Sequence, residues 1–374
     1  MGRAGVCGAV MLVSFSFACS DADGPAANAT LLGGAGNGTS SAGSTADRHE
    51  AACTKGTKRY GTLGYVECTP SLRHRQGAQD KRPGLVIAMH GYTQGVEGGG
   101  DKGGDERAWG FKPTSQWAVL AERFNFYVLF PDKGTQAFSW YSYFGTSGIG
   151  RSDLEPQALA QMTKDAILRH GIDPARVFVN GLSAGAYMTV VMLATYPDLF
   201  AAGATFAGGA YGCSVQCAAL GRKGQGWTFP GNHDAALVKK AYPTVWNDAA
   251  ARKPRLLVFQ GDADGAVTPE NMADLTQQWL GASGVPSSTA MKSALKGHEL
   301  VTYGSPSAPS LVTVLMKGAG HGTPVDPGGG NDQGGWDPEP SVKMASDQQG
   351  GQDWTNSTGI YGPYYAAKFF GLVD

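Results

Sequence analysis

The chain has 374 residues, 42% of them hydrophobic and 16% charged, and a formal net charge of −1. That composition supports a large buried core in one big domain with appendages, and excludes disorder of the whole chain. Near-neutrality, with no run of basic residues, excludes the long-range field by which a protein gathers nucleic acid or anionic membrane, so no nucleic-acid partner is expected.

Residues 1–19 read as an export signal: Arg3 precedes an apolar run from Val6 to Ala18 that is too short to span a bilayer and ends in small residues. Ser16-Phe17-Ala18-Cys19 has the Ala-Cys junction of a bacterial lipoprotein box but lacks the usual aliphatic residue three positions before the cysteine. A lipid anchor at Cys19 and plain secretion therefore both stand, giving an extracellular or outer-surface location. Residues 20–50 are dominated by Gly, Ala, Ser, Thr and Asn, which cannot bury enough apolar surface to offset their ordering entropy; this is a flexible linker. The large domain is residues 51–374. Four cysteines remain in the exported part, and pairing Cys53 with Cys68 and Cys213 with Cys217 is the simplest of three connectivities. No histidine sits at ligand spacing near either pair, so no metal is expected there.

From Gly56 to Thr69 the pattern predicts an antiparallel hairpin. Buried strands follow at Leu85–His90, Phe126–Phe130, Arg176–Asn180, Ala201–Phe206, Leu256–Gln260 and Leu311–Lys317. Leu159, Met162, Ala166 and Ile167 mark a helix with Gly171 as its C-cap, and Thr268-Pro269 predicts an N-cap and first-turn proline for a helix through Trp279. Alternating β and α units make the fold class α/β: a mostly parallel central sheet, helices on both faces, and sites at the carboxyl ends of the strands.

Three segments at such strand ends carry chemistry. Val177-Phe178-Val179-Asn180-Gly181-Leu182-Ser183-Ala184-Gly185 runs from an apolar strand through Gly-x-Ser-x-Gly into a helix-compatible segment, the pattern of a nucleophile elbow with Ser183 as nucleophile. A chain with 56 glycines meets that pattern by chance as a plain loop; the preceding strand, and an Asp and a His later in the chain, argue for the elbow. Asp264 and Asp262 both follow the strand ending at Gln260, and His321 follows the strand ending at Lys317. The order Ser, Asp, His is that of α/β-hydrolases. His321 would take and return the serine proton, and Asp264 would fix the imidazole tautomer. Asp264 is preferred to Asp262 for its spacing to Val267 and Pro269; the alternative for either is a loop carboxylate capping a backbone N–H. His49, His74, His170, His233 and His298 lack a strand-end position and default to surface or capping roles. His90-Gly91-Tyr92-Thr93-Gln94 ends the first central strand, so the Tyr92 and Ala184 N–H groups are the expected oxyanion hole. The His90 ring is a candidate substrate contact or, alternatively, a brace for the turn.

Met89 to Gln94, Gly181 to Ala186, Ala207-Gly208-Gly209-Ala210-Tyr211-Gly212-Cys213, Gly261-Asp262-Ala263-Asp264, Gly320-His321-Gly322-Thr323-Pro324-Val325 and the closing Ala366 to Leu372 together resemble the polyhydroxybutyrate depolymerase family of esterases, whose relatives include feruloyl and acetylxylan esterases. The resemblance spans most of residues 53–374. It implies an extracellular serine esterase with the α/β-hydrolase fold, without cofactor, acting on polyesters or on acyl groups of plant polymers. It departs at two points: Tyr92 stands where many members have cysteine, and the chain runs to Asp374 without the separate substrate-binding domain of several polymer-degrading members. Aromatics at strand ends, among them Trp109, Phe111, Trp140, Tyr141, Trp336 and Trp354, predict an apolar platform for substrate; the alternative is ordinary burial under loops. Trp140, Tyr141 and Trp336 are the candidate contacts. A polyester such as polyhydroxybutyrate or its oligomers is the first expected substrate, a feruloyl or acetylxylan ester the second, and a catalytically inactive surface-binding protein the reading from a different class. Activity should fall as His321 becomes protonated.

Overall fold

The computed structural model describes residues 50–71, 82–92, 94–97, 110–133, 140, 148–213, 234–325 and 355–373. The expected signal, Cys19, the linker, Cys217, Trp109, Tyr141, Trp336 and Trp354 lie outside the described residues.

Twelve strands are described: β1 (Ala52–Lys55), β2 (Gly64–Thr69), β3 (Leu85–Met89), β4 (Tyr127–Asp132), β5 (Val177–Leu182), β6 (Ala202–Phe206), β7 (Arg255–Gly261), β8 (Met291–Leu295), β9 (His298–Ser305), β10 (Ala308–Met316), β11 (Thr323–Val325) and β12 (Thr355–Ser357). The helices are α1 (Phe111–Ser115), α2 (Trp117–Phe124), α3 (Leu154–His170), α4 (Ala184–Thr195), α5 (Ala235–Ala241), α6 (Pro243–Trp246), α7 (Glu270–Ser283) and α8 (Gly362–Phe370). The first ten strands form one sheet in the order β1-β2-β4-β3-β5-β6-β7-β10-β9-β8. Its centre, β4 through β10, is parallel; antiparallel hairpins close both edges.

Side chains alternate across this sheet as the pleat requires. Val86, Phe178, Leu257, Phe259 and Val312 face one way, onto Trp117 and α8; Leu85, Val179, Leu256, Val258 and Leu311 face the other, onto α3, α4 and α7. Phe178 stacks on Phe370 with centroids 4.6 Å apart, seating the last helix on the sheet. With helices on both faces of a mostly parallel sheet, the chain has the α/β-hydrolase fold.

The predicted hairpin exists with its first strand shifted toward the N-terminus. Cys53 pairs directly with Cys68 across β1 and β2, and the two form a disulfide as expected. Cys213 is also disulfide-bonded. Gly171 caps α3 in the left-handed conformation (φ 61°), the geometry a glycine adopts without a Cβ clash. Helix α7 begins one residue later than predicted: Pro269 is its N-cap in helical conformation, and Glu270 is the first helical residue. Proline's restricted φ suits either position. The hairpin of β8 and β9 was not predicted, because Met291 to Leu295 is mostly exposed and mixes Lys, Ser and Ala, so the period-two signal is weak. His298, assigned no strand position from sequence, begins β9; its Nδ1 accepts the Lys317 N–H at 3.0 Å and its Nε2 donates to the Thr358 carbonyl at 2.8 Å, tying the end of β10 to the chain before α8.

Candidate active site

Strands β3, β5, β7 and β10 run parallel, so their carboxyl ends share one edge of the sheet, and the predicted residues come from those ends. Between β5 and α4, Ser183 has φ 53° and ψ −118°, a conformation that L-residues rarely adopt. Surrounding contacts hold it there. Its N–H donates to the Phe206 carbonyl at 2.9 Å, and its carbonyl accepts from Ala186 and Tyr187 N–H at 2.8 and 3.0 Å. The flanking glycines are needed for volume: a Cβ on Gly181 would stand 2.3 Å from the Gly185 carbonyl, and one on Gly185 would stand 2.2 Å from the Met89 carbonyl oxygen. Strand β3, the elbow and the first turn of α4 are therefore in backbone contact. Ala184 is the first residue of α4, where an amide N–H has no partner within the helix and the helix dipole is positive.

The turn after β3 packs against the elbow; a Cβ built on Gly91 would lie 3.5 Å from Ser183 Cβ. His90 is 1% exposed, and its Nδ1 lies 2.8 Å from the Gly91 carbonyl oxygen. A carbonyl can only accept, so Nδ1 carries the proton. Burial pushes the pKa of His90 below the ordinary histidine value, against the opposing hydrogen bond to Gly91, and keeps the ring neutral. The Gly91 carbonyl and the Tyr92 N–H belong to one peptide unit, and the described residues contain no cis peptide bond. Holding the carbonyl therefore aims the Tyr92 N–H the opposite way. Gln94, buried, accepts the Gly91 N–H at 2.9 Å and donates to Thr114 Oγ1 at 3.1 Å, bracing the same turn. The Tyr92 side chain is 42% exposed, so that position contributes backbone to the turn and leaves its ring near solvent.

Two of the candidate substrate contacts, Trp140 and His90, are buried in the structure. Trp140 is wholly buried, its ring 5.0 Å from that of His90, and its indole N–H donates to the His90 carbonyl at 2.9 Å. A buried indole satisfies its N–H where it can, and here that makes it a fastener for the turn. His90 is likewise buried and braces the same turn. Phe111 is also fully buried, packed edge-on against Phe130. Sequence offered one signal for these braces, the strand-end clustering of Trp140, His90 and Gln94, without indicating that they point inward.

On the other side, His321 Nδ1 lies 2.8 Å from Asp264 Oδ2, and both side chains are nearly excluded from solvent. Asp264 Oδ1 accepts the Ala266 and Val267 N–H groups, each at 2.8 Å, which anchors the carboxylate to its own loop. Asp262 has a different partner: its Oδ1 accepts the Gly318 N–H at 2.7 Å, the capping role weighed for it from sequence. The loops after β7 and β10 meet because residue 261 has no side chain; a Cβ there would lie 2.3 Å from the Ala319 carbonyl oxygen. His170 is remote from this edge, paired with Glu67 at 2.9 Å. Among the described residues no group of three or more His, Cys, Asp or Glu is arranged to hold a metal ion.

A family model described as Esterase PHB depolymerase matches residues 71–302. Poly(3-hydroxyalkanoate) depolymerase C of Paucimonas lemoignei is 30% identical over 313 residues, covering 81% of this chain and 66% of that protein's length. Acetylxylan esterase A of Aspergillus oryzae is 30% identical over 254 residues, covering 64% of this chain and 75% of that protein. Among solved structures, an acetyl xylan esterase from Aspergillus awamori superposes with a TM-score of 0.57 at 24% identity, over 72% of this chain and 94% of that one.

Proposed function

The chain belongs to the Esterase PHB depolymerase family and is an ester hydrolase; from that premise we propose that it is a serine esterase working through Ser183, His321 and Asp264. The observation that carries this reading is the 2.8 Å contact between His321 Nδ1 and Asp264 Oδ2, made across 57 residues of sequence on the same sheet edge as the elbow. With Nδ1–H donated to the carboxylate, the imidazole keeps its lone pair on Nε2, the form that a general base needs. Ser183 Oγ attacks the ester carbonyl as His321 Nε2 takes its proton. The resulting oxyanion is stabilised by the Tyr92 and Ala184 N–H groups, whose dipoles are already oriented before charge develops. Collapse returns the proton to the leaving alcohol and leaves an acyl-serine, which water removes by the same steps.

For substrate, the depolymerase relative supports a short-hydroxyacid polyester, such as polyhydroxybutyrate or its oligomers. The acetylxylan esterases support a second reading, an acetyl ester on plant polysaccharide, since this chain covers more of their length. The test is to incubate the purified protein and its Ser183→Ala variant with polyhydroxybutyrate suspension, acetylated xylan and methyl ferulate. Clearing of the polyester by the unmutated protein alone supports the first reading, and release of acetate or ferulate the second. Inertness toward all three and toward simple nitrophenyl esters would leave a surface-binding protein. Residues 1–19 extend the proposal to export, with Cys19 as a lipid attachment site; labelling with radioactive fatty acid distinguishes anchoring from plain secretion.

A further inference from the structure

Gln260 sits inside β7, between Phe259 and Gly261, with no exposure to solvent. Its Nε2 lies 2.8 Å from the Val267 carbonyl, 3.2 Å from Asp264 Oδ2 and 3.3 Å from the Gly261 carbonyl. All three neighbours accept only, so the amide orientation is forced and the nitrogen must be the atom facing them. The amide oxygen has no hydrogen-bond partner among the described residues. A buried amide with an unbonded oxygen is a poor choice for a core strand, where an apolar side chain of the same size would cost less. The nitrogen supplies a compensating contact: it touches the same carboxylate oxygen that faces His321.

We infer that Gln260 is a positioning residue for the acid of the triad, an inference that rests on the proposed triad. The backbone N–H groups of Ala266 and Val267 hold Asp264 Oδ1, and Gln260 holds Oδ2 from the strand side. With both oxygens tied, the carboxylate cannot swivel, and the free lone-pair direction of Oδ2 stays on the imidazole. The bond to Val267 fastens the loop carrying the acid back onto its strand. Gln260 touches no reacting atom; it acts through Asp264.

The test is a double-mutant cycle in the full chain, followed with a 4-nitrophenyl ester. Gln260→Met should lower kcat about tenfold, as expected for one hydrogen bond to a charged group, with KM unchanged within about twofold. In an Asp264→Asn background the same substitution should cause no further loss, because the group it positions is gone. Gln260→Glu sets a second carboxylate beside Oδ2, which favours protonated His321 and should move the acid limb of the kcat/KM profile to higher pH. A Met variant with unaltered kcat, or one whose loss is equally large in the Asp264→Asn background, overturns the inference. Should the Met variant fail to fold by circular dichroism, an unmoved acid limb in Gln260→Glu overturns it instead. Full activity in Asp264→Asn would sink the triad itself, whereas an inactive Asp264→Asn beside an indifferent Gln260 would sink only the positioning role.

Discussion

The two halves of the site are built by different physics. Around Ser183 and the His90 turn, position is set by volume and backbone: Gly185 lies against the Met89 carbonyl, the serine sits at φ 53°, and a neutral ring pins one peptide. Around Asp264 and His321, position is set by side-chain hydrogen bonds running from a strand and a loop to a carboxylate and on to an imidazole. The first half should therefore be sensitive to atoms added, and the second to donors and acceptors removed. A methyl group matters on one side, and an oxygen exchanged for nitrogen on the other.

The sharpest probe removes the proposed nucleophile. Ser183→Ala should reduce kcat by about 10⁶-fold and leave the melting temperature essentially unchanged, measured by ester turnover and calorimetry. On the hydrogen-bonded side, Asp264→Asn should cost about 10⁴-fold in kcat by favouring the wrong imidazole tautomer. Asp262→Asn, which keeps an oxygen for the Gly318 N–H, should leave turnover within about twofold, since such a surface change touches none of the reacting groups. If the two aspartate variants behaved alike, the division of roles between these neighbours would be wrong. On the backbone side, His90→Leu should lower kcat by about 10²-fold with little change in KM, because the peptide carrying the Tyr92 N–H loses its anchor. Gly185→Ala should destabilise by about 1–3 kcal/mol in urea titration, as the added methyl has backbone in its way.

The smallest effect is on pH-dependent stability. Because burial lowers the folded-state pKa of His90, the unfolded chain binds the proton more readily there. The stability tied to the neutral ring is full above about pH 6.5 and is lost as pH falls from there toward the folded-state value, at up to about 1.4 kcal/mol per pH unit. Urea midpoints from pH 7 to pH 5 should fall more steeply for the unmutated protein than for His90→Leu. Equal slopes would mean that the ring is not held neutral.

Legibility followed the same division. The elbow was readable because strand, Gly-x-Ser-x-Gly and helix are contiguous, and steric demands between residues a few positions apart leave a local signature. The six central strands were likewise visible as predominantly apolar runs, the mark of parallel strands buried on both faces. The β8–β9 hairpin was missed because an edge strand exposed over three consecutive residues carries no alternating pattern. The direction of Trp140 was left open because an aromatic at a strand end looks the same in sequence whether it faces solvent or, as here, closes over the His90 carbonyl. Spacing favoured Asp264 over Asp262 without separating them; what separates them is that one side chain reaches His321 and the other the Gly318 amide.

By itself, then, the amino-acid order determined the α/β class, the elbow and the succession of Ser, Asp and His, because these depend on hydrophobic period and on steric rules acting over short stretches. The tertiary structure alone decided which aspartate meets the imidazole, that Trp140 and His90 turn inward, and that Gln260 touches the carboxylate. Those choices depend on where loops from β3, β7 and β10 converge, and side-chain direction at such a convergence is set by packing across the sheet edge, which neighbouring residues in the chain do not encode.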